Sequence, residues 1–326
     1  MKQSVINRSS ALRKALPLLI LGTAFVALPL VLPYTALATE IMLFALAAVA
    51  FDLCVGYTGV MMFCQASFFG TGAYATALML VHLTDNIFLA MACGVFMSTV
   101  LAVFIGFMIS IRSGSYSVLL SLAFNELIYF VAYQWSSLTG GDDGLTGVRR
   151  PDINFGGLSI DLQSSDNYYY FALVFFILSF WIIRRITFSP LGKIFLCIRE
   201  NDERAQAIGL NIRLYKTLSV TIGGAFMGLA GSLYSMYIQF AHIHNVHFET
   251  SGNIVMMVLI GGIGTLFGPI VGATMIVTAS DLLSAIWDRW MLIMGALFIF
   301  FVLFARGGIW SLLEKGSRMI GRSRSG

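Results

Sequence analysis

The chain has 326 residues, of which 58% are hydrophobic and only 11% are charged, and its formal net charge is +4. Soluble domains carry about a quarter charged residues, so a water-soluble fold is excluded and an integral membrane protein remains. The modest positive charge, without a basic patch interleaved with aromatic residues, does not indicate a nucleic-acid partner, and the surroundings that the composition implies are a lipid bilayer.

Apolar runs recur along the chain, and most approach the roughly 20 residues that a membrane-spanning helix needs. They predict an all-α polytopic membrane protein, with residues 1–326 forming a single transmembrane domain. Ten passes are expected, near residues 15–33, 36–56, 58–80, 87–110, 115–135, 168–185, 217–239, 250–267, 269–287 and 290–306. The run 53–84 is interrupted by several glycines, so we expect either one helix or a broken, partly re-entrant segment there.

Lysine and arginine residues concentrate in the N-terminal tail, in residues 184–216 and at the C-terminal end. Ten passes place these three regions on one face, and the positive-inside rule makes that face cytoplasmic. Both termini are therefore expected in the cytoplasm, and residues 136–167 form the longest loop on the opposite side. The basic N-terminus with its apolar run is similar to a signal peptide, but the run is long for one, so we expect a retained helix.

Residues 189–210 form a strongly charged segment between two predicted passes. Ser189 suits the N-cap and Pro190 the first position of a helix, and Gly209 suits its C-terminal end. One face would carry Ile194, Cys197, Ile198, Ala205 and Ile208, and two opposite-charge pairs at i,i+4 spacing would be Arg199 with Glu203 and Glu200 with Arg204. The pattern predicts one short amphipathic helix, and an isolated segment of this kind typically lies on the membrane surface.

Polar residues recur at helical spacing along the fifth predicted pass. Ser117, Ser121 and Asn125 follow one another at i, i+4 and i+8, and Glu126 adjoins them. Polar groups inside a membrane are costly and usually face a bundle interior or a wet cavity, so these four residues are candidates for lining a translocation path. Hydrogen bonding between helices is the alternative, although the cost of a carboxylate favours the path for Glu126.

Three histidines, His242, His244 and His247, cluster near the outer end of the seventh predicted pass. Three imidazoles can bind a metal ion, but no cysteine or carboxylate supports them beyond Glu249. We interpret them as loop histidines at the membrane interface, and no metal site is predicted. The sequence also contains no Walker A, GxSxG or HExxH motif, so we expect no enzymatic activity.

Four blocks of sequence, in order between about residues 50 and 305, carry a family resemblance. They are residues 56–59 continuing through 65–74, residues 119–126 leading into 139–147, residues 199–205 with Gly209, and residues 260–269. In these blocks the chain resembles the LivM-like permease subunits of ABC transporters for branched-chain amino acids.

The resemblance implies a permease of the type II ABC importer kind in a bacterial inner membrane, moving branched-chain amino acids. Residues 189–210 would be a cytoplasmic coupling helix that docks into an ATPase subunit. The residues implied to couple to the ATPase are Arg199, Glu200, Asn201, Glu203, Arg204, Ala205 and Gly209. The implied partners are a second permease of similar fold, two ATPase subunits and a periplasmic substrate-binding protein. ATP would be bound by the ATPase subunits, so no cofactor is expected in this chain.

Three alternatives stay open on the sequence alone. The cargo of the same architecture could be urea, another amino acid or a small carboxylate. The chain could instead be a self-sufficient, ion-coupled secondary transporter that uses Glu126 or Asp52. A structural membrane scaffold would have no transport activity at all.

Overall fold

The computed structural model of the chain describes residues 34–111, 114–155, 158–287 and 289–304, together with residues 22, 25, 26, 28 and 308. In this part of the chain the fold is almost entirely helical, as predicted. The helices are α1 (Thr35–Asp52), α2 (Gln65–His82), α3 (Ile87–Ile109), α4 (Ser115–Gln134), α5 (Ser136–Thr139), α6 (Ser165–Thr187), α7 (Pro190–Glu200), α8 (Asp202–Ala207), α9 (Ile212–Ile238), α10 (Phe248–Gly261), α11 (Gly268–Ile286) and α12 (Trp290–Phe304). A small antiparallel hairpin, β1 (Ile153–Phe155) with β2 (Leu158–Ile160), lies between α5 and α6.

Six helical segments in the described residues are long and apolar enough to cross a membrane. They are Thr35–Tyr57, Ile87–Ile109, Ser115–Gln134, Ser165–Thr187, Ile212–Ile238 and Gly268–Ile286. The prediction of a polytopic helical membrane protein is confirmed in this form. Of the other four predicted passes, the one near 15–33 lies almost wholly outside the described residues. The remaining three correspond to α2, α10 and α12, which are too short or too polar to qualify, so the count of ten stays a prediction.

Helix α1 lies at the centre of the molecule. All of its side chains from Ala45 to Asp52 are buried, and helices α6, α9, α10 and α11 surround it. A helix enclosed in this way can be apolar on every face, which explains why its sequence shows no helical periodicity of polar residues. Helix α2 packs beside this core against α3 and α9. A Cβ atom at Gly72 would lie 2.2 Å from the carbonyl oxygen of Gly228, so the backbones of α2 and α9 approach closely only because glycine is present.

The loop between α5 and α6 is fixed to the end of α9 by Arg150. This side chain is buried, and its Nε donates to the carbonyl of Met236 at 2.7 Å while Nη2 donates to the carbonyl of Tyr237. Its guanidinium also lies 4.5 Å from the ring centre of Tyr168. Burial lowers the pKa of Arg150 below its usual range, and the two carbonyls of the helix end offset that cost because they face the positive charge.

The prediction of one continuous helix over residues 189–210 is wrong. The backbone becomes extended at Asn201 (φ −164°, ψ 111°), which separates α7 from α8. Asn201 accepts a hydrogen bond from the N–H of Arg204 at 2.9 Å and so acts as the N-cap of α8. Asparagine prefers this position to a helix interior, which explains the break. The predicted N-cap Ser189, the first-turn Pro190 and the terminating Gly209 (φ +90°) are confirmed.

The apolar face predicted for residues 189–210 is only partly confirmed. Ile198 and Ala205 are buried, whereas Ile208 is 72% exposed. Phe195, which was not assigned to this face, is buried. The break at Asn201 changes the helical phase, so a face projected through it does not persist.

Candidate functional site

The charged helices α7 and α8 meet the core of the molecule at one junction. Arg199, at the end of α7, donates from Nη1 to the backbone carbonyl of Gly56. Gly56 belongs to a π-helical turn (Leu53–Tyr57) that continues α1. At the same turn, Asp52 Oδ1 accepts a hydrogen bond from the N–H of Gly264 at 2.7 Å. We call Asp52, Gly56, Arg199 and Gly264 the Arg199 junction.

The Arg199 junction has no space for additional atoms. A Cβ at Gly56 would come within 2.2 Å of Asp52 Oδ1 and 2.6 Å of the Gly264 nitrogen. Gly264 itself has φ +77°, and a Cβ there would lie 2.9 Å from Arg199 Nη1. Glycine is therefore required at both positions, at one for the close approach and at the other also for the backbone conformation. Single π-helical turns of this kind are frequent at functional sites.

Asp52 is fully buried, although its position near a span end suited an interfacial residue equally well. Its Oδ1 is bonded to Gly264, but Oδ2 is a buried oxygen with no hydrogen-bond partner among the residues that the structure describes. A buried carboxylate with one unpaired oxygen costs free energy of folding. This oxygen could accept a hydrogen bond from a donor that a small rearrangement brings close.

An open cleft of about 500 Å³ lies beside the Arg199 junction. It is lined by Thr58, Gly59, Gly114, Ile198, Arg199, Glu200, Asn201, Asp202, Glu203 and Lys216. Four of the residues predicted to contact an ATPase thus share one polar surface. Of the other three, Arg204 and Gly209 are exposed and Ala205 is buried. The structure places these residues but does not test their role.

Neither predicted ion pair of this segment forms, because the break at Asn201 interrupts the helix on which the i,i+4 spacing depends. Lys216, from the first turns of α9, instead pairs with Asp202 at the start of α8. This pair fixes α8 to α9 and leaves Glu200 and Glu203 exposed beside the cleft.

The second candidate region is the break between α1 and α2. The chain leaves helical geometry at Thr58 and becomes helical again at Gln65, so of the two alternatives left open for the run 53–84 the structure shows the broken one. Two backbone groups at the break are satisfied by side chains of other helices. Phe63 N donates to Ser121 Oγ at 2.8 Å, and Ala66 N donates to Ser251 Oγ at 2.9 Å. Irregular backbone at membrane depth requires such partners.

Asn125 connects this break to three other parts of the fold. Its Oδ1 accepts from Ser67 Oγ at 3.1 Å and from Ser251 Oγ at 3.3 Å. Its Nδ2 donates to the carbonyl of Val246 at 3.2 Å. We call Ser67, Asn125 and Ser251 the serine–asparagine network; Ser121, one helical turn before Asn125, contacts the same break through Phe63 N. The start of α2 lies within it, and the N-terminus of a helix carries partial positive charge that favours an anionic group nearby.

The polar stripe of α4 faces the protein. Ser117, Ser121 and Asn125 are buried, and together with Ala132 they are the buried residues of this helix. Glu126 is exposed and lies outside the serine–asparagine network. The structure therefore brings Ser121 and Asn125 together, and it separates them from Glu126. Whether any of these residues contacts a substrate stays a prediction.

Several residues of these two regions are not predicted from the sequence. Gly56 and Gly264 lie inside the resemblance blocks but carry no signal that pairs them with Arg199. Ser67 is a polar residue at the start of an apolar run, a signal that could have found it, whereas Ser251 lies in a polar stretch (residues 249–253) and is not distinguished by the sequence. Gln65, at the start of α2, is fully buried, and its Oε1 has no partner in the described ranges of the chain, which a sequence does not reveal.

Comparison with known proteins connects the chain to amino-acid transport. The profile of the family described as branched-chain amino acid transport system, permease component, matches residues 34–302. The chain is 24% identical over 292 residues to the high-affinity branched-chain amino acid transport system permease protein LivM of Escherichia coli K12, covering 84% of this chain and 69% of that protein. The same identity and coverage hold for LivM of Salmonella typhimurium LT2. A probable branched-chain amino acid transport permease protein LivM of Methanocaldococcus jannaschii is 26% identical over 171 residues, covering 50% of this chain and 46% of that protein. No solved structure matches the chain.

Proposed function

Because the chain belongs to the branched-chain amino acid transport system permease family, we propose that it is the membrane-spanning subunit of an ABC importer for branched-chain amino acids. The observation that carries the mechanism is the Arg199 junction, where an exposed charged helix is bonded to the end of the most enclosed span. A partner that moves α7 would act directly on α1 through this bond.

The chain would work with a second permease of similar fold, two ATPase subunits and a periplasmic substrate-binding protein. In this arrangement ATP is bound and hydrolysed by the ATPase subunits, and the chain itself is not an enzyme. The polar cleft formed by residues of α7, α8 and Lys216 offers these subunits a docking surface. Arg199, Glu200, Asn201, Glu203, Arg204, Ala205 and Gly209 are the residues that we propose couple the two subunits.

Transmission would follow the hydrogen bonds of the Arg199 junction. A displacement of α7 acts through Arg199 on the Gly56 carbonyl, and the bond between Asp52 and Gly264 extends it to the loop that joins α10 to α11. The hydrogen bond between Ser251 and Asn125 in the serine–asparagine network then connects α10 to α4. Closure of the ATPase subunits would thereby shift the spans between outward and inward access.

The translocation path would run along the exposed side of α4, where Glu126 would face it, and the buried Ser117, Ser121 and Asn125 would support the wall of the path from inside the chain. A carboxylate in the middle of a span does not face lipid, so the exposed Glu126 requires water or a second protein as its neighbour. A path shared with a second permease would provide both.

The proposed orientation places the Arg199 junction and both termini in the cytoplasm and the loop 136–167 outside an inner membrane. The abundance of lysine and arginine near α7 and α8 supports it. Tyr237, near the end of α9, donates a hydrogen bond to the carbonyl of Ala36 at the start of α1, at 3.0 Å. Helices α1 and α9 are therefore antiparallel, as this topology requires.

Reconstitution of the chain in liposomes with its co-purified partners and binding protein tests the proposal. We expect ATP-dependent uptake of leucine, isoleucine and valine, and no uptake when the ATPase subunits are omitted. Preferred uptake of urea or a small carboxylate would show that this compound, and not a branched-chain amino acid, is the cargo. Uptake without ATPase subunits that is lost in Glu126→Gln would establish an ion-coupled transporter instead.

A further inference from the structure

We propose that His244, His247 and Glu249 form a binding site for a transition-metal ion of the zinc type, at the end of the molecule opposite the Arg199 junction. Helix α9 begins near the junction and has 27 residues, so its far end lies about 40 Å away. His244 and His247 lie in the segment that joins α9 to α10, and Glu249 lies in the first turn of α10.

The geometry brings three metal-ligating atoms together. Each residue offers one ligand atom, and these atoms all lie within 4.8 Å of one another. The His247 Nδ1 and Glu249 Oε2 atoms are 4.0 Å apart. Zinc binds imidazole nitrogen and carboxylate oxygen at about 2.0–2.2 Å, so small side-chain rotations suffice to close the three ligands around one ion.

The backbone that presents these ligands is fixed. Ile243 and Val246 are buried, and the carbonyl of Val246 accepts the hydrogen bond from Asn125 Nδ2. His247 is the N-cap residue of α10, and its ring lies edge-on to Tyr129 of α4 at 5.1 Å. The side chains of His247 and Glu249 retain exposed fractions of 34% and 56%, so an ion can reach them from solvent. Ligands on a rigid scaffold bind a metal without first ordering the chain.

The donor set selects the class of ion. Two imidazoles and one carboxylate, with an open position for water, match the ligand set of three-residue zinc sites. Calcium and magnesium prefer a shell made only of oxygen atoms, so they fit this set poorly. Three of the four histidines of the chain lie within residues 242–247. The sequence interpretation named Glu249 as the one supporting carboxylate but favoured interfacial loop histidines, and the structure adds that Glu249 lies close to two of them in space.

Binding of Zn²⁺ to the purified full-length chain, carrying no polyhistidine tag and stripped of metal with a chelator, tests this proposal. Titration calorimetry should give one ion per chain, and a zinc-binding indicator should confirm the affinity by competition. His244→Ala, His247→Ala and Glu249→Gln should each weaken the affinity by at least about tenfold. His82→Ala, which removes an exposed histidine at the end of α2, is the matched control and should leave the affinity unchanged.

Thermal unfolding of the same samples shows whether each variant is folded, so that a loss of zinc affinity can be distinguished from a folding defect. Zn²⁺ should raise the unfolding temperature of the wild type and of His82→Ala, and it should leave the variant with all three ligands replaced unaffected. Absence of binding to the wild type, or equal affinity in that triple variant, would overturn the proposal. Because no transport is measured, either result leaves the proposed importer function untouched.

Discussion

The N–H of Gly264 donates a 2.7 Å hydrogen bond to the buried carboxylate of Asp52, although 212 positions separate the two residues in the sequence. This bond joins the central helix α1 to the loop between α10 and α11. Within the described part of the chain, the second carboxylate oxygen of Asp52 has no partner. The pair is therefore both a structural connection and a site with an unused acceptor.

Two replacements of Asp52 should distinguish the contribution of its hydrogen bond to stability from the contribution of its charge. Asp52→Ala removes the acceptor and leaves the Gly264 N–H unpaired, so it should cost about 1–3 kcal/mol of stability. Asp52→Asn keeps an amide oxygen as acceptor and removes the charge, so its loss of stability should be smaller. Thermal unfolding in detergent compares the two variants. Equal destabilisation by both would show that the charge, rather than the hydrogen bond, stabilises the junction.

Arg199→Ala should uncouple the proposed importer. The variant loses the bond to the Gly56 carbonyl, so ATP hydrolysis should continue while uptake falls at least about tenfold, corresponding to about 1.4 kcal/mol of lost coupling. Lys193→Ala is the matched control, because Lys193 is an exposed basic residue of the same helix α7 that is not among the proposed coupling residues.

The measurement for Arg199 is the number of substrate molecules imported per ATP hydrolysed in proteoliposomes. Arg199→Lys should recover part of the ratio, since an ammonium group retains a donor but lacks the planar fork of the guanidinium. The same ratio in Arg199→Ala and in the wild type would contradict transmission through this contact. Normal uptake by a variant with alanine at Arg199, Glu200, Glu203 and Arg204 would show that this segment does not couple ATP hydrolysis to transport.

Asn125 and Glu126, adjacent in sequence, should respond differently to substitution. Asn125→Ala removes three hydrogen bonds and leaves buried partners unpaired, so it should cost about 2 kcal/mol or more. Glu126→Gln changes an exposed side chain and should leave the stability of the isolated chain within about 0.5 kcal/mol of wild type. Uptake should nevertheless fall in Glu126→Gln if the residue faces the path. Unfolding and uptake assays on both variants distinguish the two roles.

Arg150→Gln should destabilise the fold, whereas Arg149→Gln should not. Arg150 donates to two carbonyls at the end of α9 and is buried, so truncation removes charged hydrogen bonds worth about 1.5–3 kcal/mol each. Arg149 is exposed and adjacent, which makes it a control of equal charge. Limited proteolysis of the loop between α5 and α6 provides a second readout. Cleavage at equal rates in the two variants is not compatible with the anchoring role of Arg150.

The sequence predicts the features of this protein that depend on local pattern. Apolar runs locate the six spans, because a long apolar helix needs no information from distant residues. The N-cap at Ser189 and the helix end near Gly209 are also local. The break at Asn201 was missed because the charge pairs and apolar spacing extend across it, although asparagine is itself a capping signal.

The contacts between distant residues are not predictable in this way. Nothing in the periodicity of α1 indicates that Asp52 meets Gly264 or that Gly56 meets Arg199, since both pairings depend on how the helices assemble. The separation of Asn125 from Glu126 has a simpler cause. Successive residues of an α-helix differ by about 100° in direction, so one of two neighbours can be buried while the other is exposed.

The contrast between α1 and α4 determines where sequence change is tolerated. Enclosed positions of α1 between Ala45 and Asp52 leave no room for larger side chains, so substitutions there should be rejected whatever the partners are. On α4 only four positions are buried in the chain itself. Any additional position of α4 that rejects substitution in a saturation library, despite its exposure here, would mark the footprint of the protein that covers this helix. The sparse burial of α4 thus allows genetics to map an interface before the complex has been isolated.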